Sequence, residues 1–246
     1  MASYEHPAIA PKITFYTFPD CPWCQRVHIL LQELELPFEQ VYIELSEPRP
    51  QWYLDINPRG LVPAIKYSNG IINDEIIYES SVVAQFLADI RPSHILPASM
   101  STPTAPLVRA RIAFFVDTFM GKVANMRQMI MAEDKEASAR ETVKAIEKDV
   151  EPLLLGAAPF FGGSEEMTMA EVLTAPFVLR LYAHSKANAH MSPVLAEEMD
   201  KLPNFSKWAK AVMERQSVKE NWEEKRVVGR TDKMIEKLRS QAKAKA

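Results

Sequence analysis

The sequence predicts an α/β domain followed by an all-α helical bundle domain, and three observations carry that prediction. Residues 12–90 alternate β-rich stretches of period two with stretches of helical period, in the order β-α-β-(short α)-β-β-α. Between Arg91 and Pro106 the composition breaks: Pro92, Pro97, Pro103 and Pro106 mix with Ser and Thr, and nothing is periodic. Beyond that stretch every apolar pattern has helical spacing. The expected division is therefore an α/β domain over 1–90, a linker over 91–106 and a helical domain over 107–246.

The elements follow in order. Lys12-Ile13-Thr14-Phe15-Tyr16-Thr17 alternates and is rich in β-formers, which predicts a first strand. Pro19-Asp20 makes a turn, and Pro22 stands where a helix tolerates proline best, at its first position. Val27, Leu30, Leu31 and Leu34 then keep one helical face. A second strand runs through residues 38–43, and the β-α-β order implies a right-handed crossover with parallel pairing. Pro48, Pro50 and Pro58 frame a short helix near Trp52, which is expected in the core. Strand character resumes at 61–67. Ser68-Asn69-Gly70 is a hairpin signal ahead of Ile71-Ile72. Val82, Val83, Phe86, Leu87 and Ile90 are expected inward on the helix that closes this thioredoxin-like unit. In the second domain Val108, Ile112, Phe115 and Phe119 share a face, as do Val143, Ile146, Val150, Leu153 and Leu154. Phe160-Phe161-Gly162-Gly163 breaks the chain, and Thr168-Met169-Ala170-Glu171 is a capping box. Phe205, Trp208 and Val212 mark a further helix, and Met234, Ile235 and Leu238 a last one.

Composition excludes several function classes. With 47% hydrophobic and 25% charged residues among 246, disorder throughout is ruled out. No apolar run reaches the eighteen or so residues that span a bilayer. The start, Met1-Ala2-Ser3-Tyr4-Glu5-His6-Pro7, lacks the basic-then-apolar order of a secretory signal, so a cytoplasmic protein without a membrane partner is expected. Seven glycines with no G-x-G-x-x-G or P-loop spacing remove the usual nucleotide cradles. The net charge of -3 hides a basic end, with 13 Lys/Arg against 6 Asp/Glu over residues 201–246. Those charges are spread along helical sequence, which reads as a solvated face, and no nucleic-acid partner is expected.

The two cysteines are the informative pair. Cys21 and Cys24 form a single C-x-x-C at the junction of first strand and first helix. Two are too few for a secreted disulfide framework. A structural zinc would need two further ligands, and only His28 is near, so no metal is expected; an iron–sulfur site using one thiol per chain is the minor alternative. A thiol reacts as thiolate, and a free cysteine with pKa ~8.5 is only a few per cent ionised at neutral pH. The unpaired amides and dipole of a helix N-terminus favour the anion there, which makes Cys21 the candidate nucleophile. Arg26, a turn further in, adds positive potential. Cys24, one turn inside, reads either as a resolving thiol or as a small buried apolar residue.

With these residues in view, the chain resembles the cytosolic glutathione transferases, most closely their omega-like, cysteine-type class, over about residues 12–240. Cys21-Pro22-Trp23 resembles the catalytic Cys-Pro-aromatic motif. Arg49-Pro50-Gln51-Trp52 is similar to the basic-Pro-x-Trp segment, with Arg for the usual Lys. Asn57-Pro58-Arg59-Gly60-Leu61-Val62-Pro63 resembles N-P-x-G-x-V-P, and Tyr78-Glu79-Ser80 the Y-E-S motif. Phe160-Phe161-Gly162-Gly163 and Pro176-Phe177-Val178-Leu179-Arg180 look like the second-domain counterparts. Glu171 stands where the family usually has Asp. Cys24 departs from the class, which carries a small residue there, and gives a glutaredoxin-like CPWC.

The resemblance implies a glutathione transferase of thiol-transferase type, with glutathione as cosubstrate, a catalytic Cys21 and a homodimer. It implies a cis peptide before Pro63, with Val62 offering its backbone to the cysteinyl unit of glutathione. Glu79 and Ser80 would hold the γ-glutamyl ammonium and carboxylate, and Arg49 would face the glycyl carboxylate. Trp23 completes the glutathione-binding set. Phe177 and Arg180 would line the acceptor site. The milder readings are a helix cap for Glu79-Ser80, a surface charge for Arg49 and an interdomain salt-bridge partner for Arg180. Two rival functions stand beside the thiol transferase: a conjugating or ether-cleaving enzyme, with Tyr16 or Thr17 as hydroxyl donor, and a non-enzymatic relative that binds glutathione.

Overall fold

The structure, a computed structural model, describes residues 11–123, 125–186 and 190–243. Residues 1–7, read above for a targeting signal, lie outside the described residues. The chain divides into two compact units, residues 1–91 and 92–246.

In the first unit, β1 (Lys12–Thr17), α1 (Pro22–Glu33), β2 (Glu39–Tyr42), α2 (Gln51–Ile56), β3 (Ala64–Ser68), β4 (Glu75–Tyr78) and α3 (Ser80–Ile90) follow in order. The sheet runs β2-β1-β3-β4. β1 pairs parallel with β2, as a β-α-β crossover requires, and antiparallel with β3, which pairs antiparallel with β4 as a hairpin does. Val27, Leu30 and Leu31 on α1, Leu34 just past its end, Val83 and Leu87 on α3, and Ile13, Phe15 and Ile65 of the sheet's inner strands are all buried.

Three local expectations are corrected. β4 begins at Glu75 and not at Ile71, because the Asn69 side chain accepts from the amides of Ile71 (3.1 Å) and Ile72 (2.8 Å) and lengthens the turn; Ile71 is 79% exposed. Trp52 is exposed, and Tyr53 occupies the core position on α2, since a six-residue helix buries one side chain and turns its neighbour out. Val82 also faces outward, leaving Val83, Ala84, Leu87 and Ala88 as the buried face of α3.

The second unit is helical. It contains α4 (Ala105–Val123), α5 (Met126–Met131), α6 (Lys135–Ala145), α7 (Met169–His184), α8 (Val194–Met199), α9 (Pro203–Glu214), α10 (Gln216–Glu220) and α11 (Glu224–Lys243). After α6 the backbone widens to a π-turn at Ile146–Val150 and then tightens to 3-10 at Glu151–Leu154, where Pro152 cannot donate. Ile112, Phe115 and Phe119 of α4 are buried, while Val108 in its first turn is exposed. Phe115 and Phe119 meet the Trp208 ring at 5.5 and 6.0 Å. Residues 93–97 are tied to this unit, with Met169 N–H donating to Ile95 O (2.7 Å) and Arg109 Nη1 to Pro97 O (2.9 Å). The capping box of α7 is formed. Among the described residues no helix is long and apolar enough to cross a membrane, and no group of three or more His, Cys, Asp or Glu is arranged to hold a metal ion.

Two imidazoles set into the packing, His28 and His184, give the fold an acid limit. Burial pushes His28 on α1 down to about 4, and burial, then His190 and Arg180, do the same for His184 on α7. The unfolded chain takes up these protons below about pH 6.5, and the folded chain only near pH 4. Stability is therefore level above about pH 6.5 and declines toward pH 4, by up to about 3 kcal/mol for each imidazole. Urea midpoints measured across that interval check it: His184→Gln should shallow the decline.

Candidate active site

The site is built where the chain leaves β1. Cys21 is the N-cap of α1 with φ -80° and ψ 120°, and its side chain is not spent on capping. Its amide donates to Phe18 O (3.2 Å), and Gln25 N–H donates back to Cys21 O (3.0 Å), so the turn holds the cysteine at the helix mouth. Pro22 takes the first helical position, where no amide is needed. Cys21 is partly exposed and Cys24 is buried. Burial first, and its hydrogen bond to Cys21 next, push the Cys24 thiol well above its ordinary value. Cys24 is accordingly a protonated thiol beneath the exposed sulfur.

The opposing wall is the loop 57–63. Gly60 has φ +61°, a conformation that favours glycine, and a Cβ there would come within 3.1 Å of Arg49 Cγ. The Tyr53 hydroxyl (2.6 Å) and Asn57 Nδ2 (2.8 Å) both donate to Leu61 O. These bonds set Val62, whose carbonyl lies 4.0 Å from Cys21 Sγ. The Val62-Pro63 peptide is cis, as the resemblance implied; a second cis bond, Ala158-Pro159, was not foreseen.

The third side is the start of α3. Glu79 has φ +70°, an outlier for a residue with a side chain, of a kind that costs about 1–3 kcal/mol and gathers at functional sites. Ser80 is buried and its Oγ accepts from Arg26 Nη1 at 3.3 Å. Arg26, itself buried, has its guanidinium 4.5 Å from the centre of the Trp23 ring. Burial lowers this guanidinium to about 10, with Cys21 opposing the shift, so it stays charged at neutral pH. A cleft of about 260 Å³ is lined by Trp23, Arg26, Val62, Pro63, Glu79 and Ser80 among others.

The structure thus brings Cys21, Trp23, Val62, Pro63, Glu79 and Ser80 together, with Cys24 beneath. It does not bring Arg49 to the cleft. That guanidinium is spent on backbone carbonyls, donating to Gly60 O (3.1 Å), Glu44 O (2.7 Å), Leu45 O (3.2 Å) and Glu47 O. Arg49 therefore fastens residues 44–47 to the loop that carries Val62. Phe177 and Arg180 lie on α7 in the helical unit, both buried. Arg180 donates to Pro176 O (2.7 Å) and stands 5.3 Å from the Trp222 ring centre. Tyr16 and Thr17, the alternative hydroxyl donors, are buried.

Sequence reasoning gave Arg59 no role and Arg26 only that of adding positive potential near Cys21. For Arg26 the legible signal was its i, i+3 spacing from Trp23 on one helix. Arg59 forms an ion pair with Glu79, across twenty residues, and nothing in the sequence announced it. If Glu79 takes the γ-glutamyl ammonium of glutathione, as the resemblance implies, that ammonium would exchange with this guanidinium. Because both partners are about half exposed, the pair is worth at most about 1 kcal/mol. Arg59→Gln should lower the apparent KM for glutathione about two- to fivefold, read from initial rates at low salt, with the difference fading as salt is added.

A partly exposed cysteine at the N-cap position of a helix, facing a cis-proline loop, is the arrangement of a thiol-handling site. Comparison with known proteins makes this specific. Residues 15–94 match the family model described as Glutathione S-transferase, N-terminal domain. The chain is 31% identical over 212 residues to the probable glutathione transferase omega-2 of Caenorhabditis briggsae, spanning 85% of this chain and 78% of that one. It is 29% identical over 210 residues to the Arabidopsis thaliana glutathione S-transferase DHAR2, covering 85% and 87%. Among solved structures, glutathione transferase Omega 2C from Trametes versicolor superposes with a TM-score of 0.76 at 26% identity, covering 91% and 98%. The chain belongs to the glutathione transferases and sits with their omega-like members. Glutathione is the cosubstrate of that family.

Proposed function

We propose that the protein is a glutathione-dependent thiol transferase and reductase working through Cys21. The observation that carries the reading is one sulfur at a helix N-terminus, not used for capping, facing the Val62 carbonyl and the cis-Pro63 loop. The Cys21 thiolate attacks the sulfur of a glutathionyl mixed disulfide. The Cys21–S–glutathione bond forms, the acceptor's thiolate leaves and takes a proton, and a second glutathione thiolate then releases oxidised glutathione and restores Cys21. Val62 pairs with the cysteinyl backbone of bound glutathione, and Glu79 and Ser80 hold its γ-glutamyl ammonium and carboxylate. Trp23 covers the bound tripeptide, and Arg26 holds the Ser80 hydroxyl. Deglutathionylation and dehydroascorbate reduction are the reactions this chemistry fits. Phe177 and Arg180 serve the acceptor side. The burial of Tyr16 and Thr17 counts against a hydroxyl-driven conjugation.

Homodimeric assembly and cytoplasmic residence belong to the same proposal. Exposed apolar side chains support the first, Val82 on α3 in one unit and Phe114 on α4 in the other. The enzymatic reading is tested by trapping: oxidised glutathione should add about 305 Da to Cys21. Absence of both the Cys21 adduct and a Cys21–Cys24 disulfide, with the protein folded, would overturn it.

A further inference from the structure

We propose that Cys24 is a resolving thiol activated by a chain of hydrogen-bond donors, His28 Nε2–H to Thr17 Oγ1 and Thr17 O–H to Cys24 Sγ, so that the enzyme can close a Cys21–Cys24 disulfide. This rests on the thiol-transferase reading of Cys21 and deepens it by adding a second, internal route for releasing glutathione.

The geometry is local and fully buried around the sulfur. Thr17 is the last residue of β1 and has no exposure, and its Oγ1 lies 3.1 Å from His28 Nε2 on α1. The Phe18 amide donates to Cys24 Sγ at 3.4 Å, and the Thr17 side chain favours the Cys24 anion. His28 is packed edge-on against Phe15, centroids 4.6 Å apart, and is neutral at physiological pH. A neutral imidazole carrying its proton on Nε2 donates to Thr17, which leaves the hydroxyl proton aimed at the sulfur. Two donors thus converge on Cys24, one hydroxyl and one backbone amide, in a setting without competing water.

The arrangement times itself. In the reduced protein, burial and the neighbouring Cys21 both favour the protonated Cys24 thiol, while Thr17 and Phe18 favour its anion. When Cys21 becomes a mixed disulfide it loses its charge and its demand for the Cys24 proton. The two donors remain. Cys24 then attacks Cys21 Sγ: the Cys21–Cys24 bond forms, the Cys21–glutathione bond breaks, and glutathione leaves as a thiolate that takes the proton Cys24 gives up. Atoms and electrons balance without a further oxidant, and two molecules of glutathione later reduce the internal disulfide, leaving as oxidised glutathione. The arrangement gives Thr17 a catalytic role, since it touches a reacting atom, and makes His28 a positioning residue that acts through it.

The test is a quenched time course of the fully reduced protein with oxidised glutathione, read by intact mass and peptide mapping. The wild type should pass through a Cys21 adduct to a Cys21–Cys24 disulfide. In Thr17→Val the closing step should slow at least tenfold relative to adduct formation, and the adduct should accumulate. Thr17→Ser should restore closing. His28→Leu should slow it, and His28→Gln, whose amide can still donate to Thr17, should close faster than His28→Leu. An adduct that closes in Thr17→Val as fast as in the wild type, or that never closes in the wild type, would overturn this inference while leaving the Cys21 reading intact. No adduct in any variant would instead overturn the reading of Cys21.

Discussion

Replacing Cys21 by Ser should lower turnover of a small glutathionyl mixed disulfide about a thousandfold or more, while glutathione binding persists. The reaction forms and breaks a bond at this sulfur, so no other group can stand in for it. A serine hydroxyl in the same place stays protonated at neutral pH and makes no disulfide. Cys24 cannot substitute, because it is buried out of reach of an external disulfide. The loss should fall on kcat, with KM for glutathione nearly unchanged, since Val62, Glu79 and Ser80 remain. Steady-state rates on the mixed disulfide, with binding measured by calorimetry, check both halves. A Cys21→Ser enzyme that kept its thiol-transfer rate, or that turned over aryl halides rapidly, would move the protein to the conjugating rival.

The second large effect concerns folding. Glu171→Ala should destabilise the helical unit by about 3–5 kcal/mol and lower its thermal midpoint by about 10 °C. Glu171 has no exposure and its carboxylate accepts four hydrogen bonds. Oε2 takes Thr168 N–H (2.8 Å) and Oγ1–H (2.7 Å); Oε1 takes Phe161 N–H (2.8 Å) and Trp208 Nε1–H (2.7 Å). Truncation to alanine strands buried donors on three elements at once, and each unsatisfied donor carries its own desolvation cost. Glu171→Asp keeps the capping contact to Thr168 but is too short to hold Phe161 and Trp208 as well, and should cost an intermediate amount. Denaturant melts followed by circular dichroism separate the variants. Equal stability of all three proteins would refute the role of this carboxylate.

These two residues also show how far the chain could be read unaided. Cys21 was legible because the reasons for its place are local: a β-rich strand, a turn, a proline at the first helical position. Glu171 was legible only as half of a capping box, three residues from its partner. Its ties to Phe161 and Trp208 span ten and thirty-seven residues, and no periodicity encodes such pairings. Arg49 shows the opposite limit. Its motif placed it in sequence, but a guanidinium can serve carbonyls as well as a carboxylate, and here it donates to the carbonyls of Glu44, Leu45, Glu47 and Gly60. Glu79 was named from its motif, whereas its positive φ and its pairing with Arg59 emerged only from the tertiary arrangement. Likewise the Asn69 turn defeated the simple hairpin reading, because a side chain competed with the ladder for two amides.

The account turns on Cys21 being ionised near neutral pH while Cys24 is not. The most direct measurement is the rate of iodoacetamide alkylation at each cysteine as a function of pH, resolved by peptide mass. The account predicts that Cys21 reacts with little loss of rate down to about pH 6, and that Cys24 stays unmodified across the range. A Cys21 rate that falls tenfold for each unit below about pH 8.5, as for a free thiol, would contradict it.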